Sequence, residues 1–233
     1  MLRIIPLTSP PDWIKNTGAE FLSTEPLIPI PWDPMFLMHW QEFIRAFGAR
    51  YNGHAIICAI HMARAGTGGE MALGNEIPWE QFGYSDSLLI AAWEQIIDTY
   101  NSSFPSTQTV LNINEPIPGR SHVLDQVVTY ALNRYSGKVS FQNNGLCAAG
   151  MPTYISDTIR QAAAQTSVGY QMLGGRLWLD AQTGDRATAF TNGLADKIVY
   201  AEIYLSDLLD LSLADAIHMF AEGLKANYEA QLP

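Results

Sequence analysis

Four apolar stretches decide the fold: Thr109-Val-Leu-Asn-Ile-Asn114, Lys138-Val-Ser-Phe-Gln142, Ser167-Val-Gly-Tyr-Gln-Met172 and Ile198-Val-Tyr-Ala-Glu-Ile-Tyr204. They begin 29, 29 and 31 residues apart, the length of one strand–helix unit. Each is close to continuously hydrophobic rather than alternating, as expected of a parallel strand covered on both faces. Upstream, Arg3–Leu7 and Ile56–Ala63 read the same way, which gives six strands.

Segments with helical period lie between them. Behind Asp33, a good N-cap, and Pro34, a good first helical residue, the side chains of Phe36, Leu37, Trp40, Phe43, Ile44 and Phe47 form one stripe. Ser85 caps a second stripe of Leu88, Leu89, Ala92, Ile96 and Ile97. Val123, Leu124, Val127, Val128, Ala131 and Leu132 make a third, and Ile155, Ile159 and Ala163 a shorter fourth. The last helix is expected to start at Ser212-x-x-Asp215, a variant capping box, and to run through Ile217, Phe220 and Leu224. Trp40 and Trp93 fall inside stripes and read as core.

Strands alternating with helices, without a linker, imply an α/β fold in a single domain over residues 1–233. A dinucleotide-binding fold needs a Gly-rich turn after its first strand. Pro6-Leu-Thr-Ser-Pro-Pro-Asp-Trp13 stands there instead. The expectation is therefore a TIM-type (β/α) barrel, incomplete at about six βα units, where a closed barrel has eight. Two further short strands would have to lie in the 18–32 or 66–84 loops. Otherwise the barrel is open, and a homo-oligomer is expected to cover its edges.

Composition narrows the partners. The chain has 233 residues, 48% of them hydrophobic, and a formal charge of −10. Such a surface gains nothing from nucleic acid or an anionic membrane. No apolar run approaches the roughly 18 residues of a membrane span, and Met1-Leu-Arg-Ile-Ile-Pro6 is too short for a secretory signal. The cellular address stays open, with the cytoplasm as default. Cys58 and Cys147 are expected as buried free thiols. Five scattered histidines have no metal-ligand spacing, so neither a metal nor another cofactor is expected.

In barrels the reacting groups stand at the C-terminal ends of strands and in the loops that follow. Those positions hold Ser9, Asp12 and Trp13; His61, Arg64 and Glu70; Asn112, Asn114 and Glu115; Gln142, Asn143 and Asn144; Tyr170 and Gln171; Glu202, Tyr204 and Asp207. Carboxylates, amides and aromatic rings are what a sugar site uses: acids for bond cleavage, amides for hydroxyls and rings for stacking. Trp13, Trp32, Trp79 and Trp178 lie in loops as candidate stacking platforms. Structural readings stand beside these: His61 as a core histidine, Glu202 paired with Arg64, and Gln142, Asn143 and Asn144 satisfying loop backbone. No G-x-S-x-G elbow occurs, which disfavours a serine hydrolase of the α/β type.

Pro11-Asp-Trp13, Pro29-Ile-Pro-Trp-Asp-Pro34, Phe47-Gly-Ala-Arg-Tyr51 and Ile56–Ala63 leading to Gly69-Glu70-Met71 together resemble the middle of a clan A glycoside hydrolase barrel. The likeness is to its β-galactosidase-like and cellulase-like members. It implies that residues 2–8 form the family's third strand and 198–204 its eighth, and that the first two βα units are absent. It assigns Glu70 as acid/base, with Glu115 of Asn114-Glu-Pro116 as the competing candidate. The nucleophile position falls on Gln171, which cannot form a glycosyl ester as a carboxylate does, so Glu202 is the substitute second carboxylate. The expected catalytic pair is Glu70 and Glu202. The expected substrate contacts are Trp13, Trp32, His61, Arg64, Asn112, Gln142, Asn143, Tyr170, Gln171, Trp178 and Tyr204. The expected function is cleavage or binding of a β-linked glycoside. The alternatives are a non-catalytic carbohydrate-binding barrel and a hydrolase of another bond, such as an ester.

Overall fold

A computed structural model of the chain describes residues 12–22, 27–63, 71–74 and 77–231. The expected strand at Arg3–Leu7, with Arg64 and Glu70, lies outside them. The fold is mixed α/β. Strands β3 (Ala59–Met62), β4 (Gln108–Asn112), β5 (Val139–Leu146), β6 (Val168–Met172) and β7 (Tyr200–Glu202) form a five-stranded sheet in sequence order. β3 and β4, β5 and β6, and β6 and β7 pair in parallel. A strand order that never reverses is the order of a β/α barrel, not of a doubly wound sheet. By its internal contacts the chain divides into two compact units, 1–139 and 140–233.

The first unit begins with a short helix, α1 (Asp12–Lys15), and a hairpin of β1 (Phe21–Leu22) and β2 (Ile28–Pro29). The hairpin lies in the 18–32 segment, one of the two that could hold a further barrel strand. It is antiparallel and separate from the main sheet, so it supplies no barrel strand. Helix α2 (Pro34–Tyr51) starts as the sequence dictates: the Asp33 carboxylate accepts from the Phe36 N–H at 2.7 Å, and Pro34 occupies the first turn. Its stripe becomes a ladder of rings, Phe36 on Trp40, Trp40 on Phe43 and Phe43 on Phe47, with centroids 4.9–6.2 Å apart. Helix α3 (Asp86–Ser103) is capped by Ser85, which accepts from the Leu88 N–H at 3.2 Å. Gly48 lets α2 and α3 touch, since a Cβ there would lie 2.3 Å from the Ser103 carbonyl oxygen. Helix α4 (Ser121–Tyr135) is fixed to α3 through Asp98, whose Oδ1 accepts from the Tyr130 and Tyr135 hydroxyls, each at 2.8 Å. The Lys138 ammonium closes the 104–107 turn by donating to the carbonyls of Phe104, Pro105 and Thr107 at 2.6–3.1 Å.

The second unit carries α5 (Thr153–Ala162), α6 (Asp180–Thr183), α7 (Arg186–Ala195), α8 (Leu205–Leu208) and α9 (Ala214–Gln231). Helix α7 has no counterpart in the sequence reading, because Ala-Thr-Ala-Phe-Thr-Asn-Gly-Leu-Ala offers almost no apolar period. Its visible signal is Asp185, which caps it by accepting from the N–H and hydroxyl of Thr188 at 2.8 and 2.7 Å. The start of α9 differs from the expected capping box. Asp210, not Ser212, is the cap: it accepts from the Ser212 N–H and hydroxyl and closes a 3-10 turn at Leu211–Leu213 before α9 begins. α9 packs on α7 by stacking Phe220 on Phe190, 4.3 Å between centroids. Asn227 then donates to the carbonyls of Leu194 and Ile198 at 3.1 and 3.0 Å. Of the two thiols, Cys147 is buried as expected, whereas Cys58 is exposed, because β3 begins only at Ala59 and leaves it in the loop before.

Candidate functional site

Alternation along each strand decides which side chains can meet. In the second unit the parallel register places Gln142 beside Gly169 and Phe141 beside Val168. It places Gly169 beside Tyr200, Tyr170 beside Ala201 and Gln171 beside Glu202. One face therefore carries Gln142, Gly169, Gln171, Tyr200 and Glu202, and the other carries Phe141, Asn143 and Tyr170.

The second of these faces is structural. Tyr170 is fully buried and its hydroxyl donates to Asp196 Oδ2 at 2.8 Å. Ser156 donates to the same oxygen at 2.8 Å, and Arg160 of α5 binds Oδ1 at 2.7 Å. Burial, then the Asp196 carboxylate, push the Tyr170 phenol far above its ordinary range. Asn143 is buried on this face and accepts from the Gly145 N–H at 2.9 Å. Both residues had been expected to touch substrate. They instead tie β5 and β6 to their own loops and helices, because their neighbours in sequence, Gln142 and Gln171, take the opposite face.

The first face has the chemistry of a site. Gln142 is 0% exposed; its Nε2 donates to Asn144 Oδ1 at 3.0 Å, and its Oε1 has no partner among the described residues. Leaving a buried acceptor empty costs about 1–3 kcal/mol, which a ligand hydroxyl would recover. Gly169 is required beside it: a Cβ would lie 2.4–2.6 Å from the Tyr200 ring, which crosses β6 so that its hydroxyl donates to the Phe141 carbonyl at 3.3 Å. The Tyr200 phenol is held protonated by burial and, secondarily, by the nearby Glu202 carboxylate. Glu202 is half-buried at the end of β7. Gln171, its register partner, donates through Nε2 to the Tyr204 hydroxyl at 3.2 Å. The Tyr204 ring lies 6.0 Å from that of Trp178, which is 57% exposed. The sequence reading passed over Tyr200. Its signal was the glycine inside an apolar strand, which marks a close approach.

In the first unit, Thr109 donates to Asn101 of α3 at 3.0 Å, so β4 turns Val110 and Asn112 the other way. His61, in register with Val110, shares that face. Asn112 is 1% exposed, and neither its Nδ2 nor its Oδ1 has a partner among the described residues. Asn114 accepts from the Glu115 N–H at 2.9 Å, a local turn. The tryptophans divide. Trp79, expected as a platform, is 2% exposed and donates to the Gly74 carbonyl at 2.9 Å, which makes it core. Trp32 is wedged edge-on against Trp79 and Tyr84 and donates to the Phe82 carbonyl at 3.0 Å. Trp13 is 44% exposed and stacks on Phe43 of α2. Trp40 and Trp93 are core.

A cavity of about 170 Å³ in the second unit is lined by Arg176, Asp180, Arg186 and Asp210 among others. It falls below the roughly 300–1,000 Å³ of small-molecule sites. Its charges are also spent on one another. Arg186 pairs with Asp180 at 2.8 Å and with the buried Asp207 at 3.3 Å, and Arg176 pairs with Asp210. Among the described residues, no three His, Cys, Asp or Glu side chains are grouped to hold a metal ion. No described helix is long and apolar enough to cross a membrane. Comparison with known protein families and with curated proteins gives no match for this chain.

Proposed function

We propose that the protein acts on a β-linked glycoside on an incomplete TIM-type barrel, with the sugar bound on the Gln142–Gln171–Glu202 face of the second unit. One observation carries the reading: a carboxylate stands in register with an amide at a strand end, on the same sheet face as a buried amide oxygen that lacks a partner among the described residues. Glu202 supplies the negative charge that an oxocarbenium-like transition state needs. Gln142 and Gln171 offer acceptors and donors to ring hydroxyls, and Trp178 offers an exposed aromatic face to the C–H side of a pyranose. Glu70, the acid/base that the family resemblance assigns, lies outside the described residues and enters from the sequence alone. A separation between its carboxyl and that of Glu202 near 5–5.5 Å would give retention, and one near 6.5–9.5 Å inversion.

The test is turnover of a panel of 4-nitrophenyl β-glycosides by the wild type and by Glu202→Gln. The variant is expected to lose at least about 10³-fold in kcat, with an unchanged circular dichroism spectrum and Tm. Full activity in the variant would remove Glu202 from the mechanism. A second reading, carbohydrate binding without turnover, is favoured by Gln171, which occupies the position where the resemblance expects a carboxylate. Saturable oligosaccharide binding with no product after hours would select it. Cleavage of nitrophenyl esters alone would reject both.

A further inference from the structure

In the first unit two helix starts meet on one carboxylate. Helix α3 follows β3 and α4 follows β4, so both begin on the side where those strands end, the side on which a β/α fold does its chemistry. Asp86, the first residue of α3, accepts at Oδ1 from the Tyr84 hydroxyl at 2.7 Å. Its Oδ2 binds Arg120, just before α4, at 3.1 Å, and Nε2 of His122, in the first turn of α4, at 2.7 Å. A run of backbone contacts leads away from this joint. The Arg120 N–H donates to the Ile117 carbonyl at 3.0 Å, closing a turn in which Gly119 takes a φ of 83°. The carbonyl of Pro116, next before Ile117, accepts from the Leu73 N–H at 2.8 Å, and Pro116 and Leu73 are both buried. Asp86 thus holds the start of α4, the start of α4 holds the 113–120 turn, and that turn holds residues 71–74.

We propose that His122 is a pH-sensitive latch: its protonation tightens the α3–α4 joint at Asp86, and with it the 113–120 turn and residues 71–74, and its deprotonation loosens them. The two states differ in kind. A neutral imidazole offers Oδ2 an ordinary hydrogen bond, whereas an imidazolium offers a charge-assisted one of about twice the strength. Asp86 is ionised in both. Burial works to raise its carboxyl, but hydrogen bonds with Tyr84 and His122 and the Arg120 charge outweigh it. Tyr84 stays protonated throughout, held so by burial first and by Asp86 second, with Glu80 acting in the same sense. Two influences oppose an imidazolium here: the positive end of α4 and the Arg120 guanidinium. Asp86 prevails, because it brings a full charge to 2.7 Å, the helix end amounts to about half a charge, and Arg120 is already paired with the same oxygen. Asp125, exposed and one turn along α4, adds negative charge in favour of the imidazolium. The side chains of His122 and Asp86 are 49% and 26% exposed, so solvent screens the pair, and protonation is worth about two- to fivefold in the closing of the joint. Nothing in the latch depends on glycoside cleavage.

The experiment is amide hydrogen exchange, read by NMR on the full chain with no ligand present, at about pH 5.5 and about pH 8, either side of the ordinary histidine value of about 6.5. Rates are corrected for the intrinsic pH dependence of exchange. The reporters are Leu73, whose N–H binds the Pro116 carbonyl, and Val123, whose N–H binds the Arg120 carbonyl at 3.0 Å in the first turn of α4. Both are expected to be about two- to fivefold better protected at the lower pH. His122→Gln keeps a side-chain N–H but does not titrate, and should abolish the difference. His122→Lys is charged at both pH values and should show the higher protection at both. His122 is exposed, so both variants should keep the wild-type circular dichroism spectrum. Equal protection at the two pH values in the wild type overturns the proposal, as does a difference that survives in His122→Gln. The same ratio at Ala189 of α7, whose N–H binds the Asp185 carbonyl, would mark a change in global stability and overturns it too.

Discussion

Replacing Asp196 by alanine tests whether the back of β6 is held as described. Asp196 is 5% exposed and accepts from Tyr170, Ser156 and Arg160 at 2.7–2.8 Å. Arg160 is half exposed and also binds Asp157, so its charge returns to water at little cost. Tyr170 and Ser156 are buried and lose their acceptor outright. At about 2 kcal/mol for each buried donor left without a partner, the loss is about 4 kcal/mol. In a chain of this length that corresponds to a fall in Tm of roughly 10 °C. Tyr170→Phe removes one donor and leaves Asp196 two partners, at a cost of about 2 kcal/mol. Because that donor is then already gone, Asp196→Ala combined with Tyr170→Phe should add about 2 kcal/mol less than it costs in the wild type. Urea denaturation of the four proteins, followed by circular dichroism, measures the coupling. A single Asp196→Ala loss below about 1 kcal/mol, or costs that simply add, would refute the network.

Three other outcomes are expected. Gly48→Ala should cost about 3 kcal/mol by forcing α2 off the Ser103 carbonyl, read as a lower urea midpoint; a neutral result would mean that the two helices are not in contact. Lys197, exposed with φ at 66° after α7, should gain about 0.5–1 kcal/mol as glycine, and an unchanged or lower Tm would contradict the strain. Asp86 has its carboxyl held below the ordinary 3.8. Burial, the largest influence, works against this, but hydrogen bonds with Tyr84 and His122 and the charges of Arg120 and His122 outweigh it. Because the folded value is depressed, the stabilisation is present above pH 3.8 and is lost as pH falls through the lower folded value. In denaturation series from about pH 6 to about pH 3, the gap between the wild type and Asp86→Asn should therefore narrow as the pH falls; a constant gap would exclude the linkage.

Much of the fold was legible because its signals are local. The Asp33–Pro34 start of α2, the Ser85 cap of α3 and the strand positions at β4 to β7 depend on a few adjacent residues, and they lie where the sequence placed them within a few positions. Helix α7 was illegible because its stability comes from packing: Phe190 stacks on Phe220, and Gly193 makes room for Ile198 and Leu146, none of which shows as an apolar period. The platform assigned to Trp79 failed because a loop position says nothing about depth, and the Gly74 carbonyl and Trp32 enclose that ring.

The sequence by itself determined where β4 to β7 and the capped helices α2 and α3 lie, and which residue types gather at strand ends. It did not choose between Gln142 and Asn143, or between Tyr170 and Gln171, although both members of each pair had been expected to meet substrate. A pleated strand sends neighbouring side chains to opposite faces, so only one of each pair can do so. Which one depends on register and on what lies behind the sheet. Here Asp196, brought 26 residues along the chain to Tyr170, takes the phenol and leaves Gln171 beside Glu202. That contact exists only once α5, β6 and the end of α7 have come together, and no stretch of sequence contains it.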